Sequence, residues 1–374
     1  MVTGSRADYG LLRPLLTNLD RNPDCRMSLI ATGSHLSHQF GRTIREIQED
    51  GFSIHEEVVS LVDGDDNTSM AKSVGLGIIS FTDAFKRLSP DAVVVLGDRF
   101  EIFASASAAY LMSIPVIHLH GGEITLGAID DGLRNAITQL ASFHFTSTDY
   151  YRERVISMGA SPSSVWNVGA FGLEGLLEEK IPKEKLEKDL GLSLDQPTFL
   201  VTIHSETRDL SALDNLTRLL KCLDGFDAQM IFTGVNSDPG SRAINETLED
   251  FKTQASAKRH LFSSLGQRRY LSLMSNVSLV LGNSSSGIIE APSMGLPTVN
   301  LGKRQAGRIK PPSVIDCGFH ENEVCAAIKK ALSSEFLSDV CSKKVNPYFK
   351  ENTAENTANI IMSGNLVTSA DIKT

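Results

Sequence analysis

Along the N-terminal half of the chain, short β-branched apolar runs alternate with longer amphipathic stretches. Arg26–Thr32, Ala92–Leu96, Val116–Leu119 and Phe143–Ser147 read as strands, each followed by apolar residues at helical spacing. Near-continuous apolar runs joined by long crossovers are the signature of parallel strands buried on both faces, so the pattern predicts a doubly wound sheet. It breaks at a charged stretch from Glu178 to Asp189 and then restarts, with strands at Phe199–Ile203, Met230–Thr233, Leu279–Leu281 and Thr298–Leu301. The expected fold class is α/β, with two doubly wound, Rossmann-like domains facing a cleft. The first covers residues 1–171 and the second covers 172–346. The Lys- and Glu-rich, proline-containing segment Lys180–Lys188 reads as a surface helix or linker, with the hinge just before it. A last helix within 347–365, after Pro347, is expected to pack back on the first domain. Only two residues precede Thr3-Gly4-Ser5-Arg6, so the first strand reads as clipped.

Composition narrows the class. A chain of 374 residues is long for one core and suits two. It is 41% hydrophobic and 22% charged, and no apolar run approaches the roughly 20 residues that cross a bilayer. No secretory signal is visible at the start, which points to a cytoplasmic protein. The five cysteines (Cys25, Cys222, Cys317, Cys325, Cys341) show no Cys-x-x-Cys spacing and read as small apolar residues, not as a disulfide framework or a zinc site. A net charge of -9 disfavours nucleic acid, so an anionic ligand has to be held by a few local donors.

In open α/β sheets ligands sit beyond the carboxyl ends of the strands. Those positions here carry Gly4, Ser5, Arg6 and Asp8; Gly97-Asp98-Arg99; His120-Gly121-Gly122-Glu123; His204; and Gly282-Asn283-Ser284-Ser285-Ser286-Gly287. The last run suits a phosphate, because small residues bring backbone N–H groups close where a helix starts, at about Ile288, and hydroxyls add donors. Glu290, one turn on, is placed to accept ribose hydroxyls, although a carboxylate near a helix N-terminus is favourable on dipole grounds alone. Lys303, Arg304 and Arg308 follow a strand and suit a diphosphate. Asp98 reads as a catalytic carboxylate, the alternative being an ion pair with Arg99. Asp130 and Asp131 stand at the end of a glycine-containing loop, where capping a helix that begins near Leu133 competes with catalysis. No Gly-x-Gly-x-x-Gly follows the first strand and no Walker loop occurs, so neither NAD nor ATP hydrolysis is expected. Asp63-Gly64-Asp65-Asp66 reads as an acidic surface turn, and no residue cluster calls for a metal or other cofactor.

These residues, taken in order, resemble the hydrolysing UDP-N-acetylglucosamine 2-epimerases within the wider glycosyltransferase-B-like group. The likeness runs through Thr3-Gly4-Ser5-Arg6-Ala7-Asp8-Tyr9, Gly33-Ser34-His35-Leu36, Gly97-Asp98-Arg99-Phe100-Glu101, His118-Leu119-His120-Gly121-Gly122-Glu123 and Ile129-Asp130-Asp131 with Arg134-Asn135. It continues through Gly282–Glu290 and Asn300–Arg308, covering nearly the whole chain. The resemblance implies that Arg6, Ser284, Ser285, Glu290 and Arg304 contact UDP, that His204 and Asn236 line the cleft, and that Asp98 and Asp130 are catalytic. Asp8, His35, Arg99, Asp131, Asn283, Ser286 and Gly287 complete the candidate substrate-binding set, and His204 is also a catalytic candidate. The family's third carboxylate falls on His120 here, which leaves either Glu123 or His120 to take its task. The usual His-Pro-Val-Thr reads His204-Ser205-Glu206-Thr207.

The implied activity is release of UDP and a free manno-configured N-acetyl sugar, either N-acetylmannosamine or a 2,4-diacetamido-6-deoxy analogue, from a UDP-sugar on the route to sialic or legionaminic acid. A homodimer or dimer of dimers is implied as well. The C2 hydrogen of such a sugar is not beside a carbonyl, so its removal needs help from C1–O cleavage, which gives C1 oxocarbenium character. A clustered Asp98, Asp130 and Glu123 would tune one another by repulsion. The competing readings on the same scaffold are a non-hydrolysing epimerase, a glycosyltransferase and a nucleotide-sugar-binding regulator.

Overall fold

A computed structural model describes residues 1–37, 41–64, 66–126, 128–176, 180–204, 212–234, 240–254 and 258–363. Two compact units emerge. The first holds Met1–Glu123, Asp130–Glu174 and the chain from Lys350; the second holds Ile124–Ile129 and Gly175–Phe349.

In the first unit the strands are β1 (Val2–Thr3), β2 (Ile30–Thr32), β3 (Glu56–Val58), β4 (Val93–Leu96), β5 (Val116–Leu119), β6 (Phe143–Thr146) and β7 (Val165–Asn167). All pairings are parallel, in the orders β1-β2-β3 and β4-β5-β6-β7, and β1 lies alongside β4. The chain therefore winds one way from β1 to β3 and the other way from β4 to β7. Apolar residues of the helix Arg6–Asp20 (Leu12, Leu15, Leu16) and of β4 to β6 fill one core, into which Ala354 and Ala358 of the last helix, Thr353–Met362, also pack. On the other face the helix Asn67–Leu88 lies on the helix Phe100–Leu111. Their close approach needs Gly77, whose added Cβ would stand 2.8 Å from that of Ala104. Asp66, in the acidic turn, caps the longer helix by accepting from the Ser69 N–H at 2.7 Å.

The second unit repeats the plan with β8 (Thr198–Thr202), β9 (Gln229–Thr233), β10 (Arg259–Phe262), β11 (Leu279–Gly282), β12 (Thr298–Leu301) and β13 (Val314–Cys317), all parallel in the order β10-β9-β8-β11-β12-β13. The charged stretch Lys180–Lys188 becomes the helix Lys183–Leu190. It buries Leu186 and Leu190 in this unit's core and shows its charges to solvent.

Four strands escaped the sequence pattern: β3, β7, β10 and β13, the outermost strands of the two parallel arrays. An edge strand is covered on fewer sides and needs no continuous apolar run; every residue of β10 is only partly buried. The predicted strand Arg26–Thr32 shrinks to Ile30–Thr32. Cys222 and Cys325, on the packed helices Ala212–Leu223 and Glu321–Ala331, face each other with Cα atoms 6.5 Å apart, within the span of a disulfide. Both belong to this unit's apolar core, and their proximity across 103 residues leaves no spacing signal in the sequence. Cys25, Cys317 and Cys341 are free thiols. Among the described residues no helix is long and apolar enough to cross a membrane, and no cluster of His, Cys, Asp and Glu is arranged to hold a metal ion.

Candidate active site

A doubly wound sheet opens a crevice where neighbouring strands send their connections to opposite faces. In the first unit that point lies between β1 and β4, and the loops leaving them carry Gly4-Ser5-Arg6 and Gly97-Asp98-Arg99. Ser5 caps the first helix through the Asp8 N–H at 3.3 Å. Arg6, the helix's first residue, is partly exposed and lies 3.6 Å from Glu46. Asp8 is buried, and its Oδ2 has no hydrogen-bond partner among the described residues. Burial pushes its pKa up to about 6; the nearby Arg99 opposes the rise and Glu101 adds to it.

Arg99 does not pair with Asp98, as the sequence alternative had it. Its Nε donates to Glu101 Oε1 at 2.8 Å. Asp98 instead accepts from Arg134 Nη2 in a close ion pair. Arg134 is almost wholly buried; its Nη1 donates to the Glu123 carbonyl at 2.9 Å and lies 3.8 Å from Asp131. One guanidinium thus organises the ground between Asp98, Asp131 and the Glu123 backbone, where mutual repulsion of carboxylates was expected. Sequence could have found Arg134, because it stands three and four residues after Asp131 and Asp130, on their face of one helix. That helix, Asp130–Leu140, starts three residues earlier than predicted and places both aspartates in its first turn.

The loop after β5 is the most constrained. His120 has φ +63°, a left-handed conformation that costs an ordinary residue about 1–2 kcal/mol. The glycines after it are required: a Cβ on Gly121 would come 2.9 Å from His118 Nδ1, and one on Gly122 2.6 Å from Val155 Cγ2. Arg154 Nη1 donates to the Gly122 carbonyl at 2.8 Å. Glu123 is buried and accepts from Ser147 Oγ at 2.6 Å, and its Oε1 lies 3.6 Å from His120 Nδ1. His118 is fully buried, and burial lowers its pKa to about 4, so it is neutral at physiological pH. Its Nε2–H donates to the Gly97 carbonyl at 2.8 Å, next to Asp98. His35, expected to contact substrate, is also fully buried, between Thr3 Oγ1 at 3.0 Å from Nε2 and Thr43 Oγ1 at 2.8 Å from Nδ1. Both its ring nitrogens are spent on the protein, and burial lowers its pKa to about 4.

In the second unit the corresponding point lies between β8 and β11. Gly282 has φ +135°, and its added Cβ would collide with the Thr202 carbonyl at 1.9 Å. Asn283 follows, fully buried. Its Oδ1 accepts from the His204 N–H at 2.7 Å and its Nδ2 donates to the His204 carbonyl at 2.9 Å. Expected among the UDP contacts, its side chain instead fixes the backbone of His204. Its own carbonyl accepts from Gln305 Nε2 at 2.9 Å and Arg304 Nη1 at 3.3 Å, which ties together the loops after β8, β11 and β12. Ser284, Ser285 and Ser286 are partly exposed, whereas Gly287 is buried and its Cβ would stand 2.6 Å from Thr298 Cγ2. Ser284 and Ser286 hydroxyls lie 3.2 Å apart, and Tyr270 OH is 2.5 Å from Ser286 Oγ. Burial pushes the Tyr270 phenol up to about 12, so it acts as a neutral donor and acceptor; nothing in the sequence signalled it. The helix here is a single turn, Ser286–Ile289, which gives way to a 3-10 turn containing Pro292. Glu290 stands at the junction, ending the first turn and preceding the 3-10 turn as its N-cap, so a carboxylate is favourable there on dipole grounds too. Asn236 lies outside the described residues, as do Ser205-Glu206-Thr207 and Asp65.

The first unit thus offers carboxylates fixed by neutral or cationic donors, and the second a hydroxyl-lined, glycine-bounded loop beside a guanidinium, suited to a phosphate. A family model described as UDP-N-acetylglucosamine 2-epimerase matches residues 17–362. The chain is 39% identical to a Campylobacter jejuni GDP/UDP-N,N'-diacetylbacillosamine 2-epimerase (hydrolyzing), covering 90% of this chain and 88% of that protein. It is likewise 39% identical to the Escherichia coli polysialic acid biosynthesis protein P7, over 96% and 92%. The fold is shared with the Neisseria meningitidis UDP-GlcNAc 2-epimerase crystallised with UDP-GlcNAc, at a TM-score of 0.79 and 18% identity, over 97% of this chain and 98% of that one.

Proposed function

The chain belongs to the UDP-N-acetylglucosamine 2-epimerase family, and from that membership we propose a hydrolysing enzyme that splits a UDP-N-acetylaminosugar while inverting C2. The observation that carries this reading is the distribution of chemistry over strand ends: fixed carboxylates in the first unit, an anion loop in the second. The identity to a relative whose name specifies hydrolysis supports it.

In this reading Ser284, Ser285 and Arg304 meet the diphosphate as it gathers charge on departure, and Glu290 takes the ribose. His204, its backbone held by Asn283, faces the substrate. Asp98, fixed by Arg134, stabilises the oxocarbenium character at C1. A base drawn from Asp98, Asp130 and the Glu123–His120 pair removes the C2 proton, a glycal forms, and water adds with protonation of the opposite face of C2. Asp131 and Arg99 act by holding neighbours, as their ion pairs with Arg134 and Glu101 indicate.

The substrate we favour is the 2,4-diacetamido-6-deoxy sugar, with UDP-N-acetylglucosamine as the competitor. A nucleoside diphosphate sugar does not cross membranes unaided, so the enzyme is assigned to the cytoplasm. A homodimer belongs to the same reading, because Leu76 and Ile79, one turn apart on the helix Asn67–Leu88, are exposed apolar residues. Incubation of the purified protein with each donor and no acceptor, followed by anion-exchange analysis, tests the activity. UDP accumulating with a free aminosugar supports it; an intact donor in both reactions refutes it.

A further inference from the structure

The geometry points to His120 as a positioning residue that holds Glu123, and not as the base, so that the C2 proton is taken by the carboxylate. The inference rests on the hydrolytic reading above and decides between two of its candidate groups.

His120 Nε2 lies 3.1 Å from the Phe171 backbone N–H, which can only donate. Nε2 must therefore present its lone pair to Phe171, and a neutral ring has to carry its proton on Nδ1. Nδ1 is the nitrogen that faces Glu123 Oε1, at 3.6 Å. Base catalysis would require the remaining lone pair, the one at Nε2, and would leave an Nε2–H directed against another N–H. The ring cannot easily swing away. Its backbone is fixed at φ +63°, the His120 N–H donates to the Phe145 carbonyl at 2.8 Å, and the imidazole packs on the Phe171 ring with centroids 5.6 Å apart. Glu123 Oε1 meanwhile accepts from Ser147 Oγ. The carboxylate is thus held by the Ser147 hydroxyl, and the protonated nitrogen of a neutral imidazole faces it at 3.6 Å. His118, two residues earlier, carries the opposite tautomer, with its proton on Nε2 toward the Gly97 carbonyl.

The proton transfer then closes without His120. The C2–H bond breaks and Glu123 takes the proton. The C2–H electron pair becomes the C1–C2 double bond, the C1–O bond breaks with its pair going to the departing UDP, and a glycal and a protonated Glu123 remain.

Two substitutions separate the ring's two nitrogens. An asparagine amide reaches the place of Nδ1 and tolerates a left-handed backbone; a glutamine amide reaches the place of Nε2. His120→Asn is expected to keep UDP release within about tenfold of the parent, His120→Gln to fall further, and Glu123→Gln to lose about 100-fold or more, the range of a lost acid–base group. Should His120→Asn fall about 100-fold with UDP affinity retained, His120 is the base and the inference is overturned. Because a substitution at this strained position can compromise folding, nitrogen-15 NMR of the histidines in the parent enzyme gives a readout independent of turnover. A protonated Nδ1 and an unprotonated Nε2 at His120 support the inference; the reverse tautomer overturns it. A parent enzyme that releases no UDP would sink the hydrolytic reading and leave the tautomer result standing.

Discussion

At the residue scale, the ground around Asp98 is set by one buried guanidinium, Arg134, which pairs with Asp98 and donates to the Glu123 carbonyl. Asp98 was legible as a strand-end carboxylate, but its partner was not: Arg134, 36 residues away, holds it, while the adjacent Arg99 turns to Glu101. Adjacent charges on a chain leaving a strand need not point the same way, so neighbours in sequence are poor guides to ion pairs. Asp98→Asn is expected to cut turnover by about 100-fold to 10000-fold while UDP affinity changes little; calorimetry showing lost UDP binding would assign Asp98 a structural task. Asp8 makes a separate prediction. Its pKa is raised in the folded chain to about 6 from 3.8, so between these values the folded state binds more protons than the unfolded one. Stability from this group is therefore full below the lower value, falls as pH rises through the window, and is lost above about 6. The loss amounts to about 3 kcal/mol. Relative to the parent, Asp8→Asn should gain stability as pH rises from 4 to 7 in thermal unfolding; a difference that does not change with pH would contradict this.

At the element scale, central strands were readable and edges were not, for one physical reason: burial on both faces writes an apolar run and partial exposure does not. The serine loop was readable for a related reason, since only small residues pass where β8 and β11 come together. Gly282→Ala places a Cβ against the Thr202 carbonyl at a φ that L-residues avoid. It should lower stability by more than about 3 kcal/mol and abolish UDP binding; a variant that unfolds like the parent in urea would show that the strand ends can spread. What the serine loop did not reveal is its support. Tyr270 and Gln305 reach it from elsewhere in the chain, and tertiary partners of this kind leave no local pattern.

At the scale of the whole molecule, two repetitions of one winding scheme explain why candidate residues cluster at strand ends in each unit and why the chain needs so few charged groups to handle an anion. The last helix belongs to the first unit by its contacts: Thr353 Oγ1 donates to the Val168 carbonyl at 2.7 Å, and the Ala354 N–H to Glu174 at 2.9 Å. The apolar residues left exposed on Asn67–Leu88 make the assembly testable. Leu76→Glu with Ile79→Glu should convert a dimer to a monomer in light scattering, and an unchanged mass would move the interface elsewhere.

The central claim is that C2 is deprotonated as UDP leaves, and proton NMR of the reaction in deuterated water addresses it directly. We expect free manno-configured sugar carrying deuterium at C2, together with UDP. A released sugar that keeps its original C2 hydrogen, or a deuterated sugar still joined to UDP, would contradict the account.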